Sequence, residues 1–123
     1  MREIIEGVGV DAGIIMICDE DYFDEYGKKF DPRLSKVVNL SPGDYHVEWE
    51  IKKTWKGPIK GKGTVKISSG RMIVSDPCYC IEDWDRWLDE TEYGKFPGDG
   101  VILIDKMGGD GVYSVILNIE NKD

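Results

Sequence analysis

The chain has few of the residues on which histidine or cysteine chemistry depends. Its 123 residues include one histidine, His46, and three cysteines, Cys18, Cys78 and Cys80. An odd number of cysteines, two of them separated by a single residue, does not form the disulfide framework of a small secreted domain. The first residues also lack the apolar segment and cleavage site of a signal peptide. We therefore expect a cytoplasmic protein with reduced thiols.

Long apolar runs and an excess of positive charge are also missing. No apolar run approaches the roughly 18 residues that cross a bilayer, so no membrane partner is expected. Sixteen basic residues against twenty-four acidic ones give a net charge of −8. Because this charge repels a phosphate backbone, direct binding to duplex nucleic acid is not expected either. The hydrophobic fraction of 41% and the chain length are those of one globular domain, residues 1–123.

A repeated phrase runs through the chain. Residues 13–19 align without gaps on residues 70–76, and residues 43–51 align on residues 111–119. Such a duplication predicts two similar halves that pack about a pseudo-twofold axis. A functional site would then lie on that axis or once in each half.

Each half, about 1–57 and 58–123, is predicted to form a hairpin, a helical turn and a second hairpin. Apolar residues alternate with polar ones in the strands, and glycine pairs mark the turns. Asp19 and Asp76 are both expected to cap the helical turns. An amphipathic helix is predicted over residues 81–93. The fold class is therefore mainly β (α+β), an antiparallel barrel or sandwich with one amphipathic helix.

The basic residues that the chain does have are concentrated in one stretch. Lys52, Lys53 and Lys56 are followed by Lys60, Lys62 and Lys66. This stretch is predicted to be a hairpin on which lysines solvate the strand faces and protect the edges from aggregation.

Three short motifs give the sequence its most distinctive features. They are Ser69-Gly70 with Asp76-Pro-Cys-Tyr79, Val10-Asp-Ala-Gly13 with Asp19, and Gly109-Asp-Gly-Val-Tyr113. In combination they resemble an uncharacterised family of small proteins that is common in phages and bacterial genomes. In that family the segment that contains Asp-Pro-Cys-Tyr comes before the Val-Asp-x-Gly segment, whereas in this chain it comes after it. A duplication of the two halves accounts for such a permutation. The resemblance implies a fold and a phage context, and it assigns no catalytic residue.

These motifs have a structural interpretation and a functional one. Aspartates cap helices, glycines permit positive φ, and tyrosines lie at the edges of cores. In the functional alternative, the motifs line a concave and partly aromatic pocket between helix and sheet that orients a polar ligand. The candidate ligand-binding residues are Asp76, Cys78, Tyr79, Trp84, Asp110 and Tyr113.

Metal and covalent chemistry find less support. A Cys3His zinc set can be written from Cys18, Cys78, Cys80 and His46, and a hard-cation set from Asp19, Asp21 and Asp24. The first lacks the usual paired spacing and the second lacks the EF-hand pattern. Cys78 at a helix N-terminus is expected to have a lowered pKa, but no base lies near it in the sequence. No catalytic residue, metal or cofactor is therefore predicted.

The preferred interpretation is a non-enzymatic binding protein of a phage or mobile element. It would capture a small polar ligand or a host protein. One alternative is a metal-assisted hydrolase that uses Asp11, Asp19, Asp76 and Asp110 as ligands or bases. Another is a self-association module, since unpaired strand edges in a duplicated scaffold can join across a twofold axis into a homodimer.

Overall fold

The computed structural model describes residues 1–91 and 100–122. Eight strands account for about half of them: β1 (Arg2–Val10), β2 (Ile15–Asp19), β3 (Lys36–Asn39), β4 (Gly43–Ile51), β5 (Ile59–Ile67), β6 (Arg71–Ser75), β7 (Ile102–Ile104) and β8 (Gly111–Asn121). A 3₁₀ segment, Glu20–Tyr26, follows β2, and two helices, α1 (Pro77–Cys80) and α2 (Trp84–Thr91), follow β6.

The strands form two antiparallel sheets of four strands, so the mainly β fold is confirmed. Sheet A has the order β1-β8-β4-β5 and sheet B has the order β3-β6-β2-β7. The counterparts in the two halves are β1 and β5, β2 and β6, β3 and β7, and β4 and β8. When each strand is replaced by its counterpart, each sheet order becomes the same order read backwards. The described strands therefore form a sandwich of two sheets with twofold-symmetric topology.

Strand pairing inside each half differs from the predicted hairpins. β1 pairs with β8 in sheet A, whereas β2 pairs with β6 and β7 in sheet B. The connections between β3 and β4, β5 and β6, and β7 and β8 likewise cross from one sheet to the other. The two consecutive strands that do pair are β4 and β5, whose hairpin carries the lysine-rich stretch. Alternation along a strand shows which face is buried, and it does not identify the neighbouring strand.

Two apolar cores lie on the two faces of sheet B. The larger core fills the space between the sheets and includes Val8, Ile17, Val47, Val74 and Leu117. The smaller core lies between sheet B and the helical segments and includes Met16, Cys18, Phe23, Ile81 and Trp87. β2 is consequently buried along its whole length. Helical segments cover sheet B, and the outer face of sheet A is open to solvent.

The helical region departs from the predicted helix in one respect. Ile81 has extended backbone angles, φ −116° and ψ 123°, which separate α1 from α2. The predicted end of the helix, beyond residue 91, lies outside the described residues. The 3₁₀ segment ends at Gly27, whose φ is 84°. None of the described helices has the length and apolar character needed to cross a membrane.

Candidate functional site

Five of the six predicted ligand-binding residues lie at one end of the sandwich. Asp76, Cys78 and Tyr79 belong to the start of α1, Asp110 directly precedes β8, and Tyr113 lies near the start of β8. The Tyr79 ring lies against Gly9 of β1, and Gly9 pairs with Val112 beside Tyr113, so the two segments are neighbours. The sixth residue, Trp84, packs against the smaller core beneath sheet B.

The Asp76 carboxylate is completely buried and fully engaged with backbone amides. One oxygen, Oδ1, accepts a hydrogen bond from the Cys78 amide at 3.0 Å, which confirms the predicted helix cap. The other, Oδ2, accepts from the amides of Asp11 at 3.0 Å and Ala12 at 2.9 Å. Asp76 therefore fastens α1 to the connection between β1 and β2.

Asp19, the counterpart of Asp76, makes a similar connection with different donors. Its carboxylate accepts hydrogen bonds from the amides of Ser68 at 3.3 Å and Ser69 at 3.2 Å, and from both serine hydroxyls. It makes no side-chain bond to the 3₁₀ segment, so the predicted cap is wrong. Burial raises the pKa of Asp19, but these hydrogen bonds outweigh burial and the pKa is lowered.

The thiols are buried and hold their protons. Burial, followed by the negative charge of Asp76, raises the pKa of Cys78 to about 12, the opposite of the lowered pKa expected from the sequence. Burial also raises the pKa of Cys80 to about 12 and that of Cys18 well above its usual value. Within residues 1–91 and 100–122, no group of three or more His, Cys, Asp or Glu side chains is placed to hold a metal ion.

Both strand-opening tyrosines use their hydroxyls within the fold. The Tyr113 hydroxyl donates to the Gly109 carbonyl at 2.6 Å, and the Tyr45 hydroxyl donates to the Ser41 carbonyl at 2.6 Å. Beside the first of these turns, Trp55 Nε1 donates to the Asp110 carbonyl at 3.1 Å. The predicted tyrosine thus stabilises a turn, and its hydroxyl is already occupied.

An apolar groove that was not among the predicted sites lies on the open face of sheet A. Its volume is about 300 Å³, and it is lined by Ile4, Lys52, Lys53, Val112, Ser114 and Ile116, together with the predicted residue Tyr113. Ile4 and Ile116 are direct partners across β1 and β8. Ile4 is 58% exposed and Val112 is 67% exposed, so their apolar surface is open to solvent.

One signal in the sequence identifies part of this groove. Val112 and Ile116 occupy positions in β8 that are otherwise polar, in phase with Ser114, Asn118 and Glu120. An apolar side chain on the solvent phase of a strand indicates an exposed patch. The contribution of Ile4 depends on the pairing of β1 with β8, more than a hundred residues away, and alternation does not reveal it.

The charge of the groove differs from that of the whole protein. Lys52 and Lys53 are exposed, and neither forms an ion pair with a described residue. The lining residues contribute two positive charges and no carboxylate, on a chain whose net charge is −8. The groove is therefore a basic and apolar surface on an acidic protein.

A second cavity, of about 550 Å³, lies further along sheet A. Glu48, Trp49, Glu50, Lys60, Gly61, Lys62 and Asn118 line it. Glu48 is paired across the strands with Lys62, and Glu50 with Lys60, so positive and negative charges alternate. The Trp49 ring lies over Gly61, where a Cβ atom would collide with it. This cavity is amphoteric, unlike the groove.

Comparisons of the chain with protein-family models, with curated proteins and with solved structures find no match.

Proposed function

We propose that this protein is a non-enzymatic binding module that docks a partner protein in the apolar groove of sheet A. The partner presents an apolar side chain flanked by carboxylates. The observation that carries the proposal is the combination of exposed Ile4 and Val112 with the two lysines, Lys52 and Lys53, on the uncovered face of the sheet.

The apolar part of the groove supplies the binding energy in this proposal. Isolated exposed apolar residues are ordinary on protein surfaces, whereas adjoining ones mark interaction sites. Ile4 and Ile116 are cross-strand neighbours. Val112 lies on the same face of β8 as Ile116, with Ser114 between them on that face. An inserted leucine or phenylalanine side chain would remove this apolar surface from water.

The lysines supply the specificity. Charge complementarity at an interface accelerates association and disfavours wrong partners. Carboxylates on the partner would meet Lys52 and Lys53 at the groove, although the rest of this acidic chain repels them. The net charge of −8 disfavours an anionic lipid surface as the occupant, because the whole molecule would have to approach it.

Several observations support a binding role over hydrolysis. The hydrolase alternative needs free carboxylates, but the oxygens of Asp19 and Asp76 already accept hydrogen bonds from the fold. The raised pKa of Cys78 keeps its thiol protonated at neutral pH, which makes it a poor nucleophile.

Labelled peptides test the proposal directly. One set of fluorescein-labelled peptides carries a central leucine flanked by glutamates, and a matched set carries the same leucine flanked by lysines. We expect fluorescence anisotropy to detect binding of the glutamate set only. In methyl NMR spectra, the shifts on binding should concentrate at Ile4, Val112 and Ile116.

Paired variants make the test specific. Val112→Asp places a carboxylate in the groove and should abolish binding, and Lys53→Glu should weaken it about tenfold or more. Lys122→Glu is the control for Lys53→Glu: it makes the same charge change away from the groove and should leave binding unchanged. Val101→Asp would be an unsuitable control for Val112→Asp, because Val101 packs on the smaller core. Equal binding of both peptide sets, or shifts confined to other surfaces, would contradict the proposal.

A small zwitterionic ligand in the amphoteric cavity is the second candidate function. The alternation of Glu48 and Glu50 with Lys60 and Lys62 matches a ligand with both charges. A panel of free amino acids, followed by backbone amide NMR, tests it. Shifts at Glu48 and Lys62 that are lost in Lys62→Glu would support this candidate, and an unchanged wild-type spectrum would exclude the panel as ligands.

Association with a phage or mobile element, inferred from the sequence motifs, remains a prediction. The genes that neighbour this one test it.

A further inference from the structure

The open edge of sheet A at β1 has unused backbone groups. Met1 and Ile119 exchange two backbone hydrogen bonds, at 2.9 and 2.8 Å. In an antiparallel ladder the bonding direction alternates from residue to residue, so Glu3 and Ile5 also bond towards β8. The amide and carbonyl groups of Arg2 and Ile4 therefore point away from the sheet, along its edge.

The two ends of this edge differ in how they are covered. Beyond a bulge between Ile5 and Val8, the outward amide of Gly9 donates to the Leu34 carbonyl at 3.2 Å. The segment before β3 thus covers the distal end. No described residue makes a backbone hydrogen bond to the outward groups of Arg2 and Ile4.

The sequence along this edge is complementary to itself. Arg2, Ile4 and Glu6 are exposed and follow one another on the outer face of β1. If two such edges meet antiparallel about a twofold axis at Ile4, Ile4 faces its own copy and Arg2 faces Glu6 of the second chain. Opposite charges directly across antiparallel strands stabilise the pairing, as do facing apolar side chains.

We propose that two copies of this chain associate through their β1 edges, centred on Ile4, to form one continuous sheet of eight strands. The backbone groups of Ile4 bond to those of its copy across the axis. Arg2 and Glu6 form an ion pair on each side of the axis. The closed twofold contact occupies the β1 edge of each copy, so association through this edge stops at the dimer.

The opposite edge of sheet A, β5, is built to resist such pairing. Lys60, Lys62 and Lys66 are exposed along it. An antiparallel pair centred on Gly63 would set Lys60 against Lys66 of the other copy. Lysines on an edge are a common protection against strand addition. The segment Arg2 to Glu6 of β1 carries no lysine, and its central residue is an exposed isoleucine.

The dimer also bears on the groove. Pairing at the edge leaves the outer face of sheet A open. Ile116 and Ile4 of one copy would then form one apolar row across the axis with Ile4 and Ile116 of the other copy. A partner with two acidic and apolar segments would then bind both grooves at once, and the second contact would benefit from a high effective concentration.

Charge-reversal variants test the dimer. Sedimentation equilibrium of the wild type, at concentrations about a hundredfold apart, should show reversible dimerisation by mass action. Arg2→Glu and Glu6→Arg each place like charges across the axis, so each should weaken self-association about tenfold. An equimolar mixture of the two variants places opposite charges at both positions, and it should form heterodimers. The double variant Arg2→Glu, Glu6→Arg should dimerise with itself.

A second pair of variants separates the backbone from the side chain. Ile4→Pro removes an outward amide and keeps the bonds to β8, whereas Ile4→Ala removes only side-chain atoms. The proline variant should associate about fivefold more weakly than the alanine variant. Lys122→Glu, a control for overall charge, should dimerise like the wild type.

Two results would overturn the inference. One is a wild type that stays monomeric over the whole concentration range. The other is a dimer whose Arg2→Glu and Glu6→Arg variants fail to rescue each other when mixed, with thermal unfolding showing both to be folded. Neither result bears on peptide binding in the groove, which the monomeric variants allow to be measured separately.

Discussion

The two equivalent aspartates, Asp19 and Asp76, both attach a strand connection by accepting hydrogen bonds, but the donors differ. Asp76 in the second half reaches the connection between β1 and β2 of the first half, and Asp19 in the first half reaches the connection between β5 and β6 of the second. Each half therefore holds the strand connection of the other. The matching phrase in the sequence marks these two points of attachment.

The difference between them lies in what else each carboxylate binds. Asp76, with 0% exposure, also accepts a hydrogen bond from the Cys78 amide and so attaches α1 to the sandwich. Asp19, 7% exposed, accepts the hydroxyls of Ser68 and Ser69, where the first half has Asp11 and Ala12. Asp76 therefore holds a helix as well as a strand connection, whereas Asp19 holds only the strand connection, through amides and serine hydroxyls.

Removing the buried carboxylate should have the largest effect. Asp76→Ala leaves three backbone amides without their acceptor, two of them in the other half of the chain. We expect the free energy of unfolding to fall by about 3 to 5 kcal/mol. Urea unfolding followed by tryptophan fluorescence measures it. A loss below about 1 kcal/mol would show that water replaces the carboxylate easily, contrary to its burial.

The equivalent substitution in the first half should cost less. Asp19→Ala also removes an acceptor from two amides, but the serine hydroxyls can rotate to bond with water at this more exposed position. A loss of about 2 to 3 kcal/mol is expected in the same urea experiment. If Asp19→Ala proved more damaging than Asp76→Ala, the ranking by burial and helix attachment would be wrong.

The sequence predicted the positions of the strands but not their partners. Alternation located β4, β8 and the last residues of β1 and β5, and short apolar runs located β2 and β6, because these patterns follow from which faces are buried. Pairing across more than a hundred residues, as between β1 and β8, depends on the packing of two sheets and leaves no local pattern. The predicted hairpins within each half were wrong for that reason.

The candidate site divides in the same way. The cap at Asp76 was predictable, because aspartate followed by proline is a local signal at a helix start. The attachment of Asp19 to Ser68 and Ser69 was not, because it joins two connections about fifty residues apart. The groove combines β1, the end of β4 and β8, so its composition emerges only after the strands are arranged.

Acidification should distinguish the two aspartates further. The lowered pKa of Asp19 means that the folded state holds the carboxylate proton less tightly than the unfolded chain. Its contribution to stability is present above the unfolded pKa, about 3.9, and is lost as the pH falls through the lower folded pKa.

The matched variant for this experiment is Asp19→Asn, which cannot titrate. The advantage of the wild type over Asp19→Asn in free energy of unfolding should shrink between about pH 6 and about pH 3. The change is expected to be smaller than the loss in Asp19→Ala, which removes the hydrogen bonds as well. A constant difference across this range would contradict the lowered pKa.

The smallest expected effect concerns a feature that the halves share. Tyr45→Phe and Tyr113→Phe each remove one hydroxyl hydrogen bond to a turn carbonyl, both 2.6 Å long, and keep the buried ring. Each should cost about 1 kcal/mol. Because Trp55 also bonds to the turn at Asp110, the turn beside Tyr113 has a second attachment. Tyr113→Phe should therefore lower the free energy of unfolding less than Tyr45→Phe does. In a Trp55→Phe background, the loss caused by Tyr113→Phe, measured by urea unfolding, should be at least as large as the loss caused by Tyr45→Phe. If the background has no influence, the two attachments act independently, and the Trp55 bond does not protect the turn against loss of the Tyr113 hydroxyl.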